Sequence, residues 1–199
     1  MDKNQLIAIL FSPKPGTTLW NTPDAPRQFL ALKDVQQDPT HHPEGSMHFP
    51  LVVDNMAILI QGLGLSDKGR LTLLLSALCH DLGKSISTFF HATKKKWVAY
   101  GHDIEGIPLA QQLLKDFYLE EYSPKVSSLV LCHMSHCVPK WSEKSVNKLL
   151  LRLQPATMEE LIFLMKADCA SRPPLPSDLP KTVTEELIPI YNKIALKSL

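Results

Sequence analysis

The chain has 199 residues, 44% of them hydrophobic and 21% charged, with 21 basic against 20 acidic side chains and a formal net charge of +1. That length suits one compact domain that buries a core without staples, and the near-zero balance excludes a global field drawing it to nucleic acid or membrane. Four cysteines (Cys79, Cys132, Cys137, Cys169) form no C-x-x-C pair and follow no signal-like leader, and the apolar patch Leu6 to Phe11 is too short to span a bilayer. A cytoplasmic protein with reduced thiols and no membrane partner is therefore expected.

Residues 1–24 carry Pro13, Pro15, Gly16 and Pro23 and read as an irregular arm, with Asn21 to Asp24 turning into a short helix around Ala25 to Val35. Gln36 to Ser46 has loop composition. From Met47 the apolar residues Phe49, Val52, Val53, Met56, Leu59 and Ile60 recur at helical spacing up to Gly62-Leu63-Gly64. Ser66 is a start signal for the next helix, whose apolar run Leu71 to Leu78 ends at His80-Asp81. Ser87 to Tyr100 is polar and leans towards strand, predicting a short hairpin or lid. Gly101 precedes an amphipathic helix, His102 to Tyr118, with Ile104, Ile107, Leu109, Leu113 and Leu114 expected to face the core. Ser123-Pro124 opens another, with His133 and His136 near its end. Helices then follow over Glu143 to Leu153 and over Met158 to Ala170, the second capped by Thr157 with Glu160 three residues on. A proline-rich linker, Pro173 to Pro180, leads to a last helix from Thr182 to Lys197. The reading is all-α, divided as an N-terminal arm and short helix (1–34), a central domain (35–175), and a linker with a C-terminal helix packed on the same domain (176–199).

An imidazole and a carboxylate side by side at the mouth of an apolar helix must be hydrogen-bonded, solvated or bound to something. Adjacent helical residues point about 100° apart, so one ion is reached by both more easily at a helix end than in mid-helix. Further along the chain, His48, His102, His133 and Asp168 offer companions from separate helices, which is how helical folds build interior metal sites. Imidazoles and carboxylates together suit a first-row divalent ion and leave positions for water and substrate. Lys84 adds a cation where an anion would sit. Taken singly, His48 reads more readily as a hydrogen-bonded core residue, and Asp168 as a helix-end carboxylate.

The order H…H-D…H…H…D resembles the HD-domain metal-dependent phosphohydrolase superfamily. His41-His42-Pro43-Glu44-Gly45-Ser46-Met47-His48, followed by Val52-Val53-Asp54, is similar to the first-ligand segment in the HD domain of bacterial CCA-adding tRNA nucleotidyltransferases. Ala77 to Lys84 resembles that family's H-D-L-G-K segment, Gly101 to Gly106 its G-H-x-x-x-G segment, and Asp168 with Arg172-Pro173 its D-x-x-x-R-P stretch. The resemblance covers residues 35–175 and implies an HD-domain/PDEase-like helical bundle. It implies His48, His80, Asp81 and Asp168 as ligands of one divalent ion (Mg, Mn, Ni, Co, Fe or Zn). Where a second ion binds, His102 and His133 complete its site and Asp81 bridges the two; His136 rivals His133 for that place. Asp81, Lys84, His102 and His133 are the candidate catalytic residues, and Lys84, Arg172 and His41 the candidate substrate contacts. The family's catalytic head, with its Gly-Ser pair and Asp-x-Asp motif, has no counterpart in residues 1–40, so nucleotide addition to tRNA is not expected and the chain reads as a free-standing HD domain.

The function expected is hydrolysis of a phosphomonoester or 2′,3′-cyclic phosphodiester of a nucleotide or RNA end by a metal-activated water. Two alternatives stand beside it: an HD hydrolase of nucleoside 5′-monophosphates, dinucleoside polyphosphates or a signalling nucleotide, and a catalytically silent module binding RNA or protein. No DNA partner is expected. Cys79, Cys132 and Cys169 each adjoin a candidate ligand and read as small packing residues. Lys94-Lys95-Lys96 reads as a solvated run. Trp20, Trp97 and Trp141 are scattered and offer no stacking platform of the kind single-strand binders use.

Overall fold

The structure is a computed structural model and describes residues 1–40, 42–172 and 178–197. The substrate contact expected at His41, and the linker over residues 173–177, lie outside the described residues. Among the described residues the fold is all-α apart from one hairpin, and no helix is long and apolar enough to cross a membrane.

The N-terminal arm is more regular than its prolines suggest. Asp2 caps α1 (Lys3–Leu10) by accepting from the Gln5 amide at 2.9 Å, and the Gln5 side chain accepts from the Asp2 amide at 2.8 Å. Leu6 and Leu10, one helical turn apart, are fully buried and hold the helix down. Pro15 starts α2 (Pro15–Trp20), a position where its missing N–H costs nothing. After α3 (Arg27–Leu30) and a 3₁₀ turn over Ala31–Asp34, a loop reaches α4 (His48–Leu59). Asp54 of α4 accepts from the Gly16 amide at 2.7 Å and from the Thr17 amide and hydroxyl, so α4 holds the open end of α2. Asp54→Ala leaves those donors buried without an acceptor, and a urea titration is expected to show a loss of about 2–3 kcal/mol. The metal-to-protein ratio should stay at the wild-type value, because Asp54 faces away from the histidines described below; a lower ratio in a folded variant would contradict this structural role.

Ser66 accepts from the Gly69 amide at 3.2 Å and starts α5 (Asp67–Cys79), buried without interruption from Leu71 to Cys79. A helix covered on all sides needs no polar stripe, which explains the unbroken apolar run. Around it pack α4, α8 (Ser123–Cys132) and α10 (Met158–Ala170), with α9 (Glu143–Leu153) against α8. Leu6, Leu19, Phe29 and Leu32 near one end of the chain belong to the same core as Val183 and Leu187 near the other. The last helical segment is not uniform. Thr182–Leu187 winds as a π-helix before α11 (Ile188–Leu196), next to Pro189, which has no N–H to give and whose ring crowds the carbonyl four residues back.

After α5 the chain turns into α6 (Lys84–Ser87), and then β1 (Thr88–His91) pairs antiparallel with β2 (Lys96–Ala99), the predicted hairpin. Next comes α7 (His102–Asp116), and here the expected core face is rotated. The buried positions are His102, Gly106, Ala110, Leu113 and Leu114, while Ile104 is 57% exposed and Ile107 and Leu109 are half-buried. Small residues decide the orientation. Gly106 lies against the backbone of Gly83, and a Cβ on Gly83 would overlap the His102 carbonyl oxygen. Larger side chains on that stripe would hold the turn after His80-Asp81 away from α7.

Candidate metal centre

Each side chain singled out in the sequence lies at or near a helix end. His48 begins α4, His80 and Asp81 follow α5, His102 begins α7, His133 follows α8, and Asp168 lies in the last turn of α10. Free backbone carbonyls at such ends orient the rings. The Nδ1–H groups of His80, His102 and His133 donate to the carbonyls of Ala77, Ala99 and Val130 at 2.8, 2.6 and 2.6 Å. His136, in the 3₁₀ turn His133–Cys137, donates to the His133 carbonyl at 3.0 Å, and His48 to that of Ser171 at 3.3 Å. A proton held on Nδ1 leaves Nε2 as a bare lone pair, the form in which imidazole ligates a metal.

Those lone pairs converge on two carboxylates. Asp81 divides its oxygens between two groups. Its Oδ2 lies 3.5 Å from His48 Nε2, 3.1 Å from His80 Nε2 and 2.8 Å from Lys84 Nζ. Its Oδ1 lies 3.2 Å from His102 Nε2 and 3.6 Å from His133 Nε2. Asp168 Oδ1 is 3.3 Å from His48 Nε2, and its Oδ2 is 3.5 Å from His136 Nε2. The donor atoms form two buried triads, His48-His80-Asp168 and Asp81-His102-His133, each with its atoms within 4.8 Å of one another. Nε2 of His48, Nε2 of His80 and Oδ1 of Asp81 are buried with no hydrogen-bond partner. His102 Nε2 and His133 Nε2 face each other at 3.2 Å with both protons committed elsewhere. Lone pairs directed at lone pairs in a dry site repel unless a cation sits among them, so the donor set fits divalent ions.

The charges agree with that fit. Burial pushes the pKa of His48 and His133 down, keeping both neutral. Burial works against ionising Asp81 and Asp168, but the neighbouring cations outweigh it, chiefly Lys84 and then His80 at Asp81, and His136 at Asp168, so both carboxyls stay ionised. His80 and His136 differ from His48 and His133: burial opposes the charge of each, yet Asp81 raises His80, and Asp168 raises His136 to about 9. The thiols beside the site are packing groups, since burial lifts Cys79 to about 12 and Cys132 and Cys169 to about 11.

A cavity of about 320 Å³ opens over Asp81, His102, His133 and Asp168, with Lys84 and Arg172 in its wall and β2 along one side. Arg172 lends Nη2 to the Cys169 thiol at 3.1 Å and leaves Nε unpaired. The structure therefore brings together His48, His80, Asp81, Lys84, His102, His133, Asp168 and Arg172. It sets His133 rather than His136 in the group with Asp81 and His102. Several neighbours carried no sequence signal. His42 packs its ring 4.4 Å from that of His48, and burial, then Lys84, pushes it down to about 2. Gln37 accepts from Lys84 Nζ at 3.1 Å, and Asp38 pairs with Lys96 at 3.4 Å. The doublet His41-His42 marked this loop, but nothing distinguished its second member. Trp97, unlike the buried Trp20 and Trp141, lies on the hairpin, where the register sets it opposite Phe90.

Helix ends that gather imidazoles and carboxylates round an H-D pair define a class of helical metal-binding domain. The HD domain profile matches residues 51–172, and the chain belongs to the HD domain family. Among curated proteins it is similar to the multifunctional CCA proteins of Actinobacillus pleuropneumoniae serotype 5b (strain L20) and serotype 7 (strain AP76), each 27% identical over 155 residues. Those alignments cover 73% of this chain and 35% of each relative, so the chain spans about a third of the length of the curated relatives it matches. No solved structure gives a significant match.

Proposed function

We propose that this protein is a metal-dependent phosphohydrolase that cleaves a phosphomonoester or a 2′,3′-cyclic phosphodiester at a nucleotide or RNA end. The observation that carries the reading is the position of Asp81, whose Oδ1 belongs to one buried triad while its Oδ2 lies 3.5 and 3.1 Å from His48 and His80 of the other, with Lys84 Nζ 2.8 Å from the same carboxylate. His48, His80, Asp168 and Asp81 would hold one divalent ion, and Asp81, His102 and His133 a second. Bound there, such ions supply Lewis-acid polarisation of phosphoryl oxygens and lower the pKa of water from 15.7 to about 7.

The remaining work falls to the chain. Lys84 lies between Asp81 and Gln37 and is the group that meets a non-bridging phosphate oxygen, offsetting the charge that develops at phosphorus. Arg172, with an unpaired Nε in the cavity wall, is placed for a second oxygen. If a single ion binds, Nε2 of His102 or His133 is freed to take a proton from the attacking water and pass it to the leaving oxygen. The similarity to multifunctional CCA proteins supports a nucleotide or RNA-end phosphate as substrate.

Elemental analysis of the purified protein, paired with a substrate panel, tests this. A metal ratio near two is expected, with hydrolysis of bis-p-nitrophenyl phosphate and of 2′,3′-cyclic AMP above that of nucleoside 5′-monophosphates. Protein that binds no Mg, Mn, Ni, Co, Fe or Zn and hydrolyses nothing would overturn the reading in favour of a silent binding module. Lys84→Met should keep its metal and lose about 10²-fold in kcat, the usual cost of one lost donor to a developing oxyanion.

A further inference from the structure

A second cavity, of about 200 Å³, lies where the end of α1 meets α4 and α5, and shares no lining residue with the cavity over Asp81. His48 begins α4 and His80 follows α5, whereas this cavity is lined by Ala57 and Ile60 at the end of α4 and by Arg70 near the start of α5. It therefore sits towards the opposite ends of the two helices that carry those ligands. Buried Leu10, Ile60 and Leu74 give it an apolar wall.

Two polar groups of the lining lack the partners their chemistry asks for. The Ser12 hydroxyl is buried with no hydrogen-bond partner, although buried polar atoms are as a rule paired. Among the described residues the Arg70 guanidinium makes no hydrogen bond. It lies over the Phe11 ring, 4.9 Å from its centre, and 3.7 Å from the exposed Asp67 carboxylate. A guanidinium laid on a ring keeps its N–H edge for a planar acceptor, and a carboxylate fits that fork with both oxygens.

Charge and volume choose the ligand. Arg70 is joined by no second cation among the described lining residues, which matches a single negative charge rather than a phosphate dianion. An apolar cavity of about 150 Å³ is enough to take up benzene, so the space here holds a ring or short chain together with a carboxylate.

We propose that this cavity is a binding site for a small monocarboxylate with an apolar body, of the size of benzoate. The carboxylate accepts from the Arg70 fork and from the Ser12 hydroxyl, which turns about a single bond, and the body packs on Leu10, Ile60 and Leu74. The site uses no residue of the metal centre and stands apart from the phosphohydrolase reading.

Isothermal titration calorimetry of the full chain with sodium benzoate and sodium hexanoate tests this, with benzyl alcohol as the uncharged control. At least one of the two carboxylates is expected to bind saturably, at one per chain and at least about tenfold more tightly than benzyl alcohol, the scale of one hydrogen bond to a charged group. Arg70→Gln should weaken it by at least about tenfold, and Ser12→Ala by about 2- to 10-fold. Ala57→Phe fills the space and should abolish binding; circular dichroism checks that each variant is folded, and Arg70→Gln decides alone if Ala57→Phe is not. Amide NMR shifts during the titration should cluster at Ser12, Gln61, Arg70 and Leu74. A cluster at Lys84 and Arg172 instead would put the carboxylate in the metal cavity and overturn the site. So would the absence of saturable binding by either carboxylate, equal affinity for benzyl alcohol, or wild-type affinity in Arg70→Gln.

Discussion

Asp81→Ala is expected to purify with no bound divalent ion and with phosphatase activity reduced at least about 10³-fold, the scale set by losing a central electrostatic group. Among the described residues no other carboxylate pairs with histidines of both donor groups. Oδ2 faces His48 and His80, and Oδ1 faces His102 and His133, so one substitution removes a ligand from each proposed ion. His102→Ala should behave differently, lowering the metal ratio from two towards one. Alanine at position 81 also strips Lys84 of its closest partner, so Asp81→Asn, which keeps the shape, separates loss of the ion from loss of packing. Elemental analysis and bis-p-nitrophenyl phosphate turnover on both variants decide the matter. Full activity in either one sinks the assignment of Asp81.

Gly83→Ala is expected to be the more damaging change to the fold. The backbone at Gly83 has φ −61°, which any residue adopts, so conformational strain is not the reason. The added Cβ would run into the His102 carbonyl and the Gly106 amide, both backbone and both inside a packed helix. Overpacking against atoms that cannot step aside costs about 3 kcal/mol, and in a domain of this size lowers Tm by about 6–12 °C. The same substitution at Gly69 has the opposite sign. A Cβ there meets the Ser66 hydroxyl at 3.5 Å and the Leu65 Cβ at 4.0 Å, both ordinary contacts, on the first turn of α5. Gly69→Ala should therefore stabilise by about 0.5–1 kcal/mol through helix propensity. Thermal and urea unfolding of the pair, run side by side, tests both signs; equal shifts would mean that contact at Gly83 is not the governing effect.

The residues of the site were legible in the sequence because their chemistry is out of place. A His-Asp pair closing an apolar run has few bland explanations, and it directed attention to His48, His102, His133 and Asp168, which the structure gathers round it. Helix limits were legible wherever a cap is written locally, as at Ser66 and at Thr157 with Glu160. What escaped depends on contacts between distant segments. The exposure of Ile104 follows from the approach of Gly83 to Gly106, two glycines whose partnership no periodicity displays. Gln37 and Asp38 sit in a loop with no motif, and acquire meaning only when Lys84 and Lys96 arrive beside them. The aromatic pair on the hairpin is seven positions apart in the chain and directly opposed in register. Two short helices hid in the N-terminal arm because their prolines and brevity masked a capping box and two buried leucines.

The ring tethers also bear on how the centre assembles. Those of His80, His102, His133 and His136 each reach a carbonyl only three residues back, so their orientation is written into the local turn. Each such helix end is a prefabricated part, correct before it meets the others, and docking needs only to deliver it as a rigid body. His48 is built differently. Its partner, the Ser171 carbonyl, is 123 residues away, steadied by a bond from Asn55 to the Ser171 hydroxyl at 2.9 Å. Closure over that distance carries an entropy cost that grows with the logarithm of the span, and it is completed only once α10 has come home against α4. His48 is thus the keystone: of these five rings, it is the one whose aim depends on α10 lying against α4.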